Sequence, residues 1–189
     1  MPDRPLLVLD VDETLLHGAE MPLGRECDLR VGVFFIYMRP HFELFLTTVA
    51  EHYDLAVWSS ATRGYLREVV KALMVGQTAP LVFTWDRTTC TRRLDPVMGD
   101  YFFLKDLKKV KNKGFDLTRV LILEDEPRKV QKHYGNAVYV NPFEGEMDDD
   151  ELLKLAMYLQ SIADSPDFRA LEKRNWREKI QQQQQQQQL

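Results

Sequence analysis

Apolar residues fall along this chain in two rhythms. Short unbroken runs stand at residues 6–9, 55–58, 81–83, 120–123 and 137–140. Runs of that length fit strands covered on both faces, as in a parallel sheet. Between them, Phe42, Phe45, Leu46 and Val49 follow i, i+3, i+4, i+7 spacing, with Pro40 placed for a first helical turn. Leu66, Val69, Val70 and Leu73 repeat that spacing. Leu152, Leu155, Ala156, Leu159 and Ile162 do so again, behind acids at 148–151 that suit a helix dipole. The alternation predicts an α/β domain, a parallel sheet with helices on both faces.

Two stretches break the rhythm. "CDLRVGVFFIYM", from Cys27, is β-branched and aromatic around a Gly, and predicts a small β-hairpin inserted after the first strand, at about 25–38. "TWDRTTCTRRLDPVMGDY", from Thr84, has few periodic apolar residues and predicts a long loop or small subdomain over about 84–101. The main domain is expected over 1–164. Residues 165–180 are expected as a polar C-terminal helix or tail. The eight glutamines at 181–188 and the final Leu189 are expected to be disordered.

Composition narrows the class. The 189 residues are 44% apolar and 29% charged, the balance of a globular domain with a real core. A net charge of -4 makes nucleic acid an unlikely main ligand, since nucleic acid usually requires a basic face. Cys27 and Cys90 lie far apart without a CxxC and are expected to be reduced thiols. No window approaches 18 continuous apolar residues, and the first residues lack the basic start and long apolar stretch of a signal peptide. The expectation is no membrane span and a cytoplasmic location, or a nuclear one in a eukaryote.

The chemistry gathers behind the strands. In open α/β sheets ligands bind at the strands' carboxyl ends. Asp10, Asp12, Glu13 and Thr14 follow the first run, Ser59 and Ser60 the second, and Glu124, Asp125 and Glu126 close the fourth. Acids ending a buried strand repel one another unless something positive sits among them. Helix-capping surface acids explain one such cluster, but two behind buried strands favour a hard cation. Mg²⁺ is typically held by one or two carboxylates plus a phosphate, with Asp10 and Asp125 the natural ligands. Ser59-Ser60-Ala61-Thr62 sits at a strand-to-helix junction, where free N–H groups suit a phosphate. Taken alone, the stretch is better explained by an ordinary N-cap at Ser60 or Thr62, but not beside a metal site. "FLKDLKKVKNKG" offers five lysines, of which Lys105, directly behind Phe102-Phe103-Leu104, is the one most anchored to the core.

Asp10-Val11-Asp12-Glu13-Thr14 resembles the DxDxT signature of the haloacid dehalogenase (HAD) superfamily of phosphotransferases. More specifically, the chain resembles the FCP/SCP-type, or NIF-like, phosphatases, which include those acting on the C-terminal domain of RNA polymerase II. The resemblance rests on "LDVDETL" from Leu9, "MRPHFELFL" from Met38, "VWSSATRGY" from Val57, "FLKDL" from Phe103, "RVLILEDEP" from Arg119 and "NAVYVNPFEGEMDDDEL" from Asn136, in that order. Together these span about residues 6–162.

The resemblance implies a HAD-like Rossmannoid fold and Mg²⁺-dependent phosphomonoester hydrolysis. Asp10 would be the nucleophile that forms an aspartyl-phosphate, and Asp12 the general acid and then base. Thr14 would hold the loop and steer Asp12, and Thr14, Ser59 and Ser60 would bind the substrate phosphate. Lys105 would neutralise Asp10 and the phosphate. Asp10, the Asp12 carbonyl and Asp125 would hold Mg²⁺, with Glu124 in support. The implied substrate is a phosphoserine or phosphothreonine protein or peptide. Phe34, Phe35 and Tyr37 could line a peptide groove or belong to the core, and Arg87, Arg92 and Arg93 could bind acidic flanks or be solvated. Many relatives have Asp where this chain has Glu124, and 87–101 is longer than in the small phosphatases. A small-molecule or nucleic-acid-end phosphatase and a non-catalytic peptide-binding module on the same fold are the alternatives.

Overall fold

All five apolar runs become strands of one sheet. The computed structural model describes residues 4–77 and 79–187. In chain order it holds β1 (Leu6–Leu9), β2 (Leu16–Ala19), β3 (Leu29–Val31), β4 (Phe34–Met38), α1 (Phe42–His52), β5 (Asp54–Trp58), α2 (Arg63–Leu73) and β6 (Leu81–Trp85). Then follow β7 (Thr91–Leu94), β8 (Tyr101–Leu104), α3 (Lys108–Asn112), β9 (Val120–Glu124), β10 (Ala137–Tyr139), α4 (Glu151–Ile162) and α5 (Trp176–Gln187). The central sheet has the order β10-β9-β1-β5-β6 and is parallel throughout.

Successive residues of a strand face opposite ways, and here both faces are covered. Leu7, Leu9, Leu55, Val57, Leu121 and Leu123 pack with the apolar stripes of α1, α2 and α4. Leu6, Val8, Ala56, Trp58, Val120 and Ile122 pack on the other side with Phe83, Leu107, Val110 and Val130. The chain leaves β1 toward β5 and β6, then returns to the far side of β1 for β9 and β10. Strand order therefore reverses at β1, the position where such sheets open a ligand crevice.

Four local expectations are corrected. The insertion after β1 is a three-stranded antiparallel sheet, β2-β4-β3, rather than a hairpin. Its extra strand reads Leu-His-Gly-Ala, too short and mixed to show a period, and only Leu16 of it is buried. The predicted loop after β6 contains a hairpin pairing Thr91 with Leu104 and Leu94 with Tyr101. Its first strand is polar and largely exposed, so it carries no apolar signature. Pro40 precedes the helix cap His41 rather than entering the first turn.

The glutamine run, expected to be disordered, is helical to Gln187; residues 188 and 189 lie outside the described residues. Glutamine is a good helix former. Trp176 and Ile180 anchor the helix by full burial, and Trp176 Nε1 donates to the Tyr139 carbonyl at 3.0 Å.

Candidate active site

Asp10 leaves the sheet at the end of β1 and is 2% exposed. The loop behind it turns tightly. The Val11 carbonyl accepts from the amides of Thr14 and Leu15, and Glu13 takes a left-handed conformation with φ 59°. Arg39, at the end of β4, donates to the Thr14 carbonyl at 3.1 Å and forms a two-pronged pair with Asp149 at 2.8 Å. This buried guanidinium ties the loop to the segment before α4.

Lys105 reaches the same place from the end of β8. Its Nζ lies 2.7 Å from Asp10 Oδ1 and 2.7 Å from Glu124 Oε2, and all three side chains are buried. Burial raises the Asp10 carboxyl, but the charges of Lys105 and Lys129 outweigh it and hold Asp10 below its ordinary value. Burial, joined by the Asp10 charge, pushes Glu124 well up. Of the two, Asp10 is the more firmly held in its ionised form. Burial alone would lower Lys105, yet Asp10 and Glu124 hold it up and charged.

Asp12 has a different environment. Tyr65 O–H donates to Oδ1 at 2.7 Å and Ser59 Oγ to Oδ2 at 3.2 Å. Burial prevails over both hydrogen bonds, with the Asp10 charge adding to it, so the Asp12 carboxyl is raised. Two neighbouring carboxyl groups with opposed shifts are the arrangement that divides nucleophile from acid.

Ser59 is fully buried at the end of β5. Besides bonding Asp12, its Oγ accepts from the Ala61 amide at 2.9 Å. Ser60 lies beside it on the wall of a surface cavity of about 330 Å³, with Asp12, Glu13, Phe34, Tyr65 and Arg87. Thr62 caps α2 without a side-chain hydrogen bond. Thr14 lies in the tight loop behind Asp10. It is fully buried, and its hydroxyl has no hydrogen-bond partner among the described residues. Its carbonyl accepts from Arg39.

One oxygen each from Asp10, Glu124 and Asp125 lie within 4.8 Å of one another. Asp10 Oδ2 and Asp125 Oδ1 are buried without a hydrogen-bond partner among the described residues. Such orphaned oxygen atoms cost stability unless a cation or donor meets them, and an all-oxygen set suits a hard divalent ion. Glu124 therefore joins the carboxylates that could hold a metal.

The sequence reading missed Lys129. It follows β9 in an irregular helical segment, and its carbonyl accepts from the Lys105 amide at 2.7 Å. Its Nζ lies 3.4 Å from Glu124, 3.7 Å from Asp125 and 3.9 Å from Asp10. Only its place four residues after Asp125 hinted at this. Tyr65 was hidden too, since it faces the site from the first turn of α2. The aromatic residues of the insertion divide. Phe34 lines the cavity, edge-to-face with Tyr65 at 5.6 Å. Tyr37 is core, and Phe35 lies under Arg30. Arg87 lines the cavity, Arg92 stacks on Tyr101, and Arg93 is exposed.

A comparison with known families matches residues 5–169 to the NLI interacting factor-like phosphatase model. The chain belongs to the NLI interacting factor-like phosphatase family. It is 31% identical over 187 residues to CTD nuclear envelope phosphatase 1 of Xenopus tropicalis, covering 91% of this chain and 72% of that protein. It is 29% identical over 183 residues to Nuclear envelope morphology protein 1 of Saccharomyces cerevisiae, covering 86% of this chain and 40% of that one. A solved structure of Fcp1, an essential RNA polymerase II CTD phosphatase, superposes with a TM-score of 0.59 at 17% identity. That match covers 95% of this chain and 62% of the Fcp1 chain, and it shows the fold. The family, the HAD-like fold and the phosphatase class expected from the sequence are those found.

The expected cytoplasmic location is corrected. The relatives of frog and budding yeast carry nuclear-envelope names, which point to the nuclear envelope rather than the cytoplasm. Among the described residues, no helix is long and apolar enough to cross a membrane.

Proposed function

We propose that this phosphatase hydrolyses phosphoserine or phosphothreonine in a protein substrate, through an aspartyl-phosphate on Asp10, with Mg²⁺ as cofactor. The observation that carries the reading is the Lys105–Asp10 contact beside Asp12. One carboxylate is kept ionised by a buried ammonium, and the next is kept protonated to higher pH by burial.

Asp10, the Asp12 carbonyl and Asp125 would hold Mg²⁺, with Glu124 close enough to contribute. Bound there, the ion would neutralise phosphoryl charge. The remaining steps belong to this chain's own residues. The Asp10 carboxylate forms a bond to phosphorus as the ester P–O bond breaks. Asp12 gives its proton to the departing oxygen of the substrate. Asp12 then takes a proton from water, whose oxygen attacks phosphorus and releases phosphate from Asp10. Lys105 balances the charge on Asp10 throughout, and Ser59 with Tyr65 fixes where Asp12 points. Such chemistry is mostly positioning and charge neutralisation.

The protein substrate is supported by the relatives' names as CTD phosphatases and by the cavity beside Asp12. Phe34, Tyr65 and Arg87 offer apolar and cationic contacts to a chain flanking the phosphate. The test is hydrolysis of p-nitrophenyl phosphate with Mg²⁺ and with EDTA, followed by a panel of phosphopeptides, sugar phosphates and nucleotides. Metal-dependent turnover with phosphopeptides preferred supports the reading. Sugar phosphates or nucleotides turned over far faster than phosphopeptides contradict the substrate class.

A further inference from the structure

Two lysines serve the carboxylates of this site, and they do so differently. Lys105 makes two contacts of 2.7 Å and is fully buried. Both of its carboxylate partners sit at ordinary charge-assisted distances. Lys129 is 14% exposed and stands farther off, at 3.4 Å from Glu124, 3.7 Å from Asp125 and 3.9 Å from Asp10. Those separations exceed a hydrogen bond. Its nearest oxygen is Glu126 Oε2 at 3.1 Å, on a residue outside the carboxylate trio.

Toward the trio, the ammonium supplies charge without supplying hydrogen bonds, and its short contact is to Glu126. Asp10 Oδ2 and Asp125 Oδ1, both facing Lys129, are left without a hydrogen-bond partner among the described residues. A lysine has a flexible four-carbon stem and a compact charge, so it moves at little cost where it is not bonded. Glu126, 31% exposed and already 3.1 Å from the ammonium, keeps it partnered when it leaves the trio.

We propose that Lys129 is a positioning residue that acts as a tethered counter-cation, holding the place among Asp10, Glu124 and Asp125 that a divalent ion takes. The inference rests on the metal reading given above. Without metal, Lys129 keeps three crowded carboxylates together. A divalent ion entering among the same oxygens meets a like charge and displaces it. Metal affinity is thereby set by a residue that need not itself be a ligand. Lys105 does not have this role, since it is bonded to Asp10 and Glu124 on the buried side.

The experiment measures metal binding rather than turnover. Mg²⁺ is titrated calorimetrically into the wild-type protein and into Lys129→Met, Lys129→Gln and Lys129→Arg. The two uncharged variants are expected to bind Mg²⁺ at least about tenfold more tightly, and the arginine variant to stay near wild type. Equal or weaker binding by the uncharged variants, with wild type binding, overturns the inference alone. No binding by any of the four proteins overturns the metal reading and the inference with it. A second measurement needs no variant. Amine acylation of the wild-type protein, read by peptide mass spectrometry, is expected to rise at Lys129 when Mg²⁺ is added. Labelling that stays constant or falls overturns the inference.

Discussion

The ammonium of Lys105 lies 2.7 Å from Glu124 Oε2, with both side chains fully buried. The same ammonium lies 2.7 Å from Asp10 Oδ1, so one lysine bridges carboxyl groups from two adjacent strands. Removing one partner of a buried ion pair is costly because it strands the other charge. Lys105→Met is expected to lose about 3–5 kcal/mol of stability. Adding Glu124→Gln in the same chain is expected to restore part of it. Urea unfolding of the single and double variants checks this, and a double variant no more stable than the single one contradicts it.

Tyr65 holds Asp12 from α2 without belonging to the acidic motif. Tyr65→Phe removes a 2.7 Å hydrogen bond and little else. The expected result is a kcat about tenfold lower, about 1.4 kcal/mol in the barrier. Stability should change by about 1 kcal/mol. Steady-state kinetics and thermal unfolding measure the two, and unchanged kcat would deny Tyr65 a part in positioning Asp12.

Asp86 links the loop after β6 to α2. Hydrogen bonds from Thr88 and Arg63 pull its carboxyl down to about 2 from an ordinary 3.8, against the opposing effect of burial. A carboxyl depressed in the folded state adds stability above its unfolded value and loses it as pH falls toward the folded one. Wild-type Tm should therefore drop between about pH 4 and about pH 2 more steeply than that of Asp86→Asn. Parallel curves for the two proteins would contradict this.

Trp176 fixes α5 to the domain. It is 1% exposed, tilted against Tyr158 at 5.7 Å, and bonded to the Tyr139 carbonyl. Trp176→Ala is expected to cost about 3–5 kcal/mol. A chain ending at residue 180 keeps Trp176 and Ile180, and should unfold within about 0.5 kcal/mol of the full chain. Chemical denaturation of both distinguishes anchoring by the apolar residues from anchoring by the glutamines.

The parts of this molecule that could be read from its sequence are those that repeat or cluster. The apolar runs behind β1, β5, β6, β9 and β10 announced the parallel sheet because burial on both faces leaves no polar alternation. Asp10, Asp12 and Asp125 were visible because two clusters of acids, each directly behind a buried strand, are hard to explain as helix caps. Lys105 stood out from its neighbours because three apolar residues carry it inward. The rest depended on tertiary contact. β2 and β7 are strands only because β4 and β8 pair with them. Lys129 and Tyr65 lie on helical segments whose periods give no sign of the site they face. Arg39, which holds the Thr14 carbonyl, reaches it from the end of β4, and nothing in the sequence pairs the two.

The central claim is that Asp10 carries the phosphoryl group. The most direct measurement is to mix the Mg²⁺-loaded protein with p-nitrophenyl phosphate, quench in acid within the first turnovers, and map the modified peptide by mass spectrometry. A phosphoryl group on Asp10 is expected, absent in Asp10→Asn and absent when EDTA replaces the metal. Turnover without any phosphoryl group on Asp10, or turnover retained in Asp10→Asn, would contradict the account.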